Sequence, residues 1–390
     1  MAVQAADDTV KGLLGRASGT QPEDWFLVFK ARYGMESVFR SLHDERGSGN
    51  VLTQLFTCAT AVNPILAAGL TPVYGEVSPA TIALDPELLP TPSHLRAVVL
   101  QNTFGIVSDE TGLALRRVAD DAGAILLEDS AHCIGRMARN EDGTPVADVS
   151  VHSFGVEKML PTKYGGAVWV NPAMPPALGD RIRRDLNGLA SPGARLGFAA
   201  ATYRLQLGVM NRLPAALSGP IRGTVTGLGV FDPPIAKAET SGGQGSAVPL
   251  AANNWVAKQA AKSLRTLEQS ERQREGAVSI YLQALAGKVE FPSQITARMP
   301  LVRFPAFVPE GMDAEQVFEA LRAEGVYAGR WYRPALFPGV ADPLVYNWNP
   351  AENRFPITMD LIERSINVPT AEPKEKVRTA AQSLLSAVSG

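Results

Sequence analysis

Ala124-Ile-Leu-Leu-Glu-Asp-Ser-Ala-His-Cys-Ile-Gly135 sets four apolar residues directly before Glu128 and Asp129. A short uninterrupted apolar run is the pattern of a strand buried on both faces, as in a parallel sheet. Ligands collect beyond the carboxyl ends of the strands in such sheets, which is where Asp129 falls. Val149-Ser-Val-His-Ser153 repeats the arrangement and runs into Phe154-Gly-Val-Glu-Lys158, while Phe56-Thr-Cys58 follows a third apolar run that begins near Val51.

Working outward, residues 50 to 170 alternate short apolar runs with helix-like segments, the rhythm of an α/β sheet. Strands are predicted at Val51 to Thr53, Pro72 to Val77, Arg96 to Leu100, Ala124 to Leu127, Val149 to Ser153 and Ala167 to Val170. A short helix at Val62 to Ala68 ends at Gly69, and a helix from Ser108 to Asp121 is stopped by Gly123. The pattern loosens between 171 and 246, which reads as an inserted helical layer finished by the Gly/Ser-rich stretch Ser241 to Ser246. The apolar segment Leu196 to Leu217 gives that layer a possible lipid-facing or partner-facing surface. One long helix is expected from Asn254 to Leu285. Beyond it, Val289 to Phe291, Leu301 to Phe304, Asp313 to Glu324, Val326 to Trp331, Ser365 to Val368 and Lys374 to Val388 alternate strand and helix. The expected division is a large α/β domain over 1–285, with the insertion at 171–246, and a small α+β domain over 286–390.

Composition narrows the functions open to such a chain. Its 390 residues hold 37 Lys and Arg against 39 Asp and Glu, a net charge of −2, so no broad basic face for nucleic acid is expected. Cys58 and Cys133 are the only cysteines and stand outside any metal-binding spacing, which fits a reducing cytoplasm. The start of the chain lacks the apolar core of a secretory signal. The longest uncharged stretch, Val51 to Gly75, is interrupted by Gln54, Asn63, Pro64 and Pro72, so no membrane span is predicted.

An acid and a lysine at neighbouring strand ends suit pyridoxal 5'-phosphate. That cofactor needs a lysine for its Schiff base and a carboxylate beside its ring nitrogen. Asp129 is the candidate acid, since an opposite charge nearby keeps the ring nitrogen protonated. Lys158 is the candidate for the Schiff base and for the proton shuttle, a role helped by a pKa drawn towards neutrality through burial. Ser153 and neighbouring backbone amides would receive the phosphate. Taken singly, each is an ordinary cap, ion-pair member or solvated side chain; together they define a site.

These residues and their spacing resemble the DegT-type sugar aminotransferases, of the fold-type I pyridoxal phosphate enzymes with an aspartate aminotransferase-like fold. The resemblance rests on Phe56-Thr-Cys-Ala-Thr-Ala-Val-Asn63, Asn102-Thr-Phe-Gly105, Glu128-Asp-Ser-Ala-His132, Ser153 with Lys158, Gly165-Gly166, Gly325 to Tyr332 and Asn367-Val-Pro369. It implies a large mixed, mainly parallel sheet domain and a homodimer with shared active sites. It also implies amino transfer, commonly from glutamate, to a keto sugar that is often nucleotide-linked. Lys158 matches the Schiff-base lysine, Asp129 the ring-nitrogen acid and Ser153 a phosphate ligand. His132 stands where the family has a glutamine near the cofactor's phenolic oxygen. Dehydratases of the family carry histidine in place of the lysine, so Lys158 implies transamination.

Several positions depart from the family's pattern. Gly34-Met35 replaces a phosphate-binding Gly-Thr or Gly-Ser, and Cys58 replaces an aromatic that stacks on the ring. Lys163-Tyr164 replaces a Gly-Glu, which makes Lys163 a rival to Lys158. Leu250-Ala-Ala-Asn-Asn-Trp255 offers Asn253 or Asn254 as the phosphate contact sent into a neighbouring subunit, with no arginine at the matching place. Two alternatives follow: a protein of this fold that acts as a binding or scaffold component, and a pyridoxal phosphate enzyme for a keto substrate other than a sugar.

Overall fold

Strands pair here through residues that alternate between two apolar layers. In the computed structural model, which describes residues 2–241 and 249–389, β1 (Trp25–Val28), β2 (Asn50–Gln54), β3 (Thr71–Gly75), β4 (Leu95–Gln101), β5 (Ile125–Ser130), β6 (Val149–Ser153) and β7 (Gly166–Val170) form one seven-stranded sheet. Its order is β1-β7-β6-β5-β4-β2-β3, and β7 alone runs against its neighbours. Val51, Val99, Ile125, Leu127, Val149 and Val151 enter the main core on one face. Leu52, Val98, Leu100 and Leu126 enter a second core on the other. Both faces are therefore covered, as a parallel sheet requires.

Helices α1 (Ala2–Ser18), α2 (Ala31–Arg46), α3 (Ala59–Ala67) and α4 (Asp109–Asp121) precede or cross between the strands. Leu115 and Ala119 of α4 fill the second core, and the Ser108 hydroxyl caps the helix by accepting the amide of Thr111. Because β7 is reversed, the chain leaves it on the far side of the sheet and returns along α5 (Pro176–Asn187), which packs on α2. The insertion continues as α6 (Ala194–Met210) and α7 (Ala215–Gly227), the helical layer the sequence suggests. Most of its Gly/Ser-rich end, from residue 242 on, lies outside the described residues.

The expected long helix is two, α8 (Asn254–Leu264) and α9 (Leu267–Leu285). Thr266 breaks it: both its amide and its hydroxyl turn back onto the carbonyl of Ser263, the local competition that Ser and Thr side chains offer a helix. The remainder holds β8 (Arg303–Phe307), α10 (Ala314–Ala323), α11 (Pro356–Arg364), β9 (Ser365–Pro369) and α12 (Lys374–Ser389), with β8 and β9 antiparallel. Two expected strands do not form. Val289 to Phe291 and Val326 to Trp331 contribute single bridges, Glu290 with Phe307 and Gly329 with Asn367, because the β8–β9 ribbon adds no third strand on either side. Among the described residues no helix is long and apolar enough to cross a membrane.

Candidate active site

Parity along β5 and β6 decides which side chains meet. Asp129 shares the face of Leu127, and Ser153 that of Val149 and Val151, so both point to the main-core side. Glu128, one residue off, faces the second core. There it accepts hydrogen bonds from the Asn102 side chain and the Ala138 amide, each at 2.8 Å, and burial pushes its carboxyl up to about 7. Only the aspartate of the Glu-Asp pair reaches the ligand edge.

That edge opens into a cavity of about 310 Å³ lined by Asp129, His132, Ser153 and Lys158 together with Met35, Cys58 and Lys163. The starts of β7 and α2 also meet there. A Cβ on Gly166 would lie 2.8 Å from the Cα of Ala31, so only glycine lets α2 approach this closely. Ala31 and Arg32, the first residues of α2, line the cavity beside Ser153, which places a helix N-terminus and a hydroxyl at one spot, a ready anion site. Ser153 accepts the Gly155 amide at 3.2 Å and keeps its own proton to donate.

Lys158 sits on a loop closed by a bridge between Gly155 and Lys163, with Glu157 and Lys163 both in the left-handed backbone region (φ 57° and 76°). Such conformations in residues other than glycine gather at functional sites. Burial lowers the Lys158 ammonium from its ordinary value, opposed by Cys58, Asp129 and Glu157. Burial raises the Asp129 carboxyl, opposed by the Ala131 amide and the charge of Lys158. The Lys158 Nζ lies 5.3 Å from the centre of the Trp331 ring. Lys163 lines the same cavity and is lowered by burial and by Arg204.

The other expected site residues divide. Met35 and Cys58 line the cavity; the Cys58 Sγ lies 3.0 Å from the Thr60 hydroxyl. Gly34 does not line it: a Cβ there would come within 2.4 Å of Val168, so this glycine serves the packing of α2 on β7. Asn253 caps α8 by accepting the Val256 amide and does not line the cavity of its own chain. His132 lines the cavity with both ring nitrogens engaged, Nδ1 by the Phe104 amide at 2.9 Å and Nε2 by the Tyr332 hydroxyl at 3.1 Å. Burial holds its pKa well below the usual histidine value. It is stacked on Trp331, with ring centres 5.2 Å apart and planes 6° from parallel.

The fold adds groups that sequence reasoning did not single out. Lys30 and Arg32 enter the cavity at the start of α2, paired with Asp232 and Glu239 of the insertion at 2.8 Å each. Tyr203 of α6 stacks on Phe231 and meets Tyr164 edge-on, so the insertion forms one wall of the mouth. The place of Lys30 and Arg32 just before Gly34 was the one available signal; Asp232 and Tyr203 carried none.

Residues 35–184 match the DegT/DnrJ/EryC1/StrS aminotransferase family. Over 145 residues the chain is 32% identical to an L-glutamine:2-deoxy-scyllo-inosose aminotransferase of Streptoalloteichus tenebrarius, covering 33% of this chain and 34% of that one. It is 28% identical to GDP-perosamine synthase of Vibrio cholerae over 31% of this chain and 33% of that one. The match thus spans about a third of the length of these curated relatives. In fold, a putative sugar aminotransferase of Streptococcus pneumoniae, Spr1654, solved in its PMP form, superposes with a TM-score of 0.71 at 16% identity, covering 98% of this chain and 92% of that one. Residues 35–184 thus resemble the DegT/DnrJ/EryC1/StrS aminotransferase family in sequence, and the chain as a whole shares the fold of this solved protein.

Proposed function

We propose that this protein is a pyridoxal 5'-phosphate-dependent aminotransferase that moves an amino group, from glutamate, to a keto sugar or a related polyhydroxylated ketone. The observation that carries this reading is the convergence of Asp129 and Lys158 in one buried cavity.

The donor set fits the cofactor. A buried carboxylate, a partly buried lysine and an anion site built from Ser153 and the start of α2 surround a space of about 310 Å³. When bound, pyridoxal phosphate supplies the electron sink that stabilises a carbanion. Asp129 holds a positive charge at a ring nitrogen by placing its own negative charge there. Lys158 is the attachment point and moves the proton; its lowered pKa lets the amine act as a base nearer neutrality. Ser153 donates to a phosphate oxygen, and the α2 N-terminus adds its dipole. Met35 offers no hydroxyl, and the N–H groups of Arg32 and Lys30, each paired with a carboxylate of the insertion, are the polar donors at the start of α2. The engaged nitrogens of His132 give it a positioning role, through Tyr332, rather than a direct bond to the cofactor's phenolic oxygen.

The acceptor class is supported by the similarity to an L-glutamine:2-deoxy-scyllo-inosose aminotransferase and to GDP-perosamine synthase. The insertion gives one wall of the mouth its shape and is the place where acceptor choice is made. We further propose a homodimer, supported by Asn253, which caps a helix outside its own cavity as a residue offered to a neighbouring subunit would. A cytoplasmic setting is supported by the free thiols Cys58 and Cys133.

The reading is tested by visible absorbance of the purified protein with added cofactor. A band that fades with glutamate and is absent from Lys158→Ala supports it. A protein that stays colourless after reconstitution overturns it.

A further inference from the structure

Two helices of the insertion turn large apolar side chains to solvent. On α6, Arg195, Phe198, Thr202, Leu205 and Val209 follow at steps of three or four and share one side of the helix, with Arg212 in the turn just past its end. Phe198, Leu205 and Val209 are 55%, 71% and 53% exposed. The opposite side, Ala199, Ala200, Tyr203 and Met210, is buried, so the exposed stripe is no consequence of a loosely placed helix. On α7 and just past its end, Leu217, Ile221 and Leu228 are likewise exposed.

Charge singles out the same segment. Between Asp185 and Asp232 the chain has no Asp or Glu, yet it carries Arg195, Arg204, Arg212 and Arg222, all exposed, in a protein whose net charge is −2. An apolar stripe bounded by arginines is the composition of a helix that lies in a membrane interface, its apolar side chains among the acyl chains and its cations at anionic headgroups. We propose that α6 and α7 form a docking surface for an anionic lipid bilayer. A second copy of the chain is disfavoured where the patch would lie on a two-fold axis and meet itself, because arginines would then face arginines with no carboxylate in the segment. The helix that rests on lipid also walls the cavity through Tyr203, so the enzyme would work at the membrane surface without crossing it.

The test is flotation of the full chain with vesicles of phosphatidylcholine alone and with about 30% phosphatidylglycerol. Binding at least about tenfold stronger to the anionic vesicles, and reduced about as much by high salt, is expected. Leu205→Asp with Val209→Asp, and separately Arg212→Glu with Arg222→Glu, should each remove most of it while thermal melting stays as in the unaltered protein. Absence of binding, equal binding to both vesicles, or variants that bind undiminished would overturn the proposal. So would a unaltered protein that ignores vesicles while Leu205→Asp halves its mass in light scattering, since a second copy would then occupy the face.

Discussion

His132 links the two halves of the cavity wall, accepting the Phe104 amide at Nδ1 and meeting the Tyr332 hydroxyl at Nε2. A ring that accepts at Nδ1 carries its proton on Nε2 and donates to Tyr332. Burial lowers its pKa well below 6.5, so it stays neutral across the working range. The pH dependence of kcat/KM should therefore have no limb near 6.5 that belongs to His132. His132→Gln should keep the shape of the profile while lowering its height. A limb that vanishes in His132→Gln would refute this.

Lys158 and Lys163 line one cavity and are both partly buried, but only Lys158 has Asp129 among the charges that act on it. Lys158→Ala should cost about 10²–10⁴-fold or more in rate and lose the visible band. Lys163→Ala should keep the band and act on KM. Loss of colour in Lys163→Ala alone would exchange the two roles.

Glu128 gives the protein a pH-dependent stability unrelated to catalysis. Its folded pKa, raised from 4.5 to about 7 by burial, means that its favourable contribution is complete below pH 4.5. That contribution is lost as pH rises towards and through 7. The full difference is about 3 kcal/mol. Glu128→Gln should flatten this part of the profile and gain stability at pH 8 relative to the parent, read from denaturant midpoints. An unchanged slope between pH 5 and 8 would exclude the assignment.

The pair of Lys30 with Asp232, both largely buried, ties the insertion to α2. Asp232→Ala leaves that ammonium without its partner, and a segment held by fewer contacts opens more often. Trypsin should cut at the exposed Arg204, Arg212 and Arg222 at least about fivefold faster in this variant. Equal cleavage rates would mean that the aromatic contacts of Tyr203 hold the segment by themselves.

Gly34→Ala should destabilise by about 1–3 kcal/mol through overpacking, because its Cβ would fall 2.4 Å from Val168 Cγ2. Val168→Ala in the same chain should recover part of the loss, measured by thermal unfolding. A loss of cofactor with unchanged melting would instead place Gly34 in the binding site.

What could be read from the sequence follows from local pattern. The strands that carry Asp129 and Ser153 announce themselves because continuous apolar runs have few other uses, and the parity of Asp129 against Glu128 follows from the pleat. The first fifty residues hid more. β1 is four residues with no alternation, and α2 carries Gly34 within its apolar face. The break at Thr266 depends on a hydroxyl choosing a carbonyl, which periodicity does not record. Lys30 and Asp232 meet across two hundred positions, so their pairing belongs to the tertiary structure alone. His132 was visible as a motif residue, but its partners, Phe104 and Tyr332, come from separate parts of the chain.

The reversal of β7 separates two kinds of change. Its first residue, Gly166, stays at the ligand edge, while everything after Val170 departs from the opposite edge and must travel back along α5 before it reaches the mouth. Lengthening, trimming or replacing the segment beyond α5 therefore leaves the pairing of that strand in place and reaches the site only through contacts such as those with Lys30, Arg32 and Tyr164. The return path can thus change its shape or surface while Asp129, Ser153 and Lys158 keep their places at the sheet's edge.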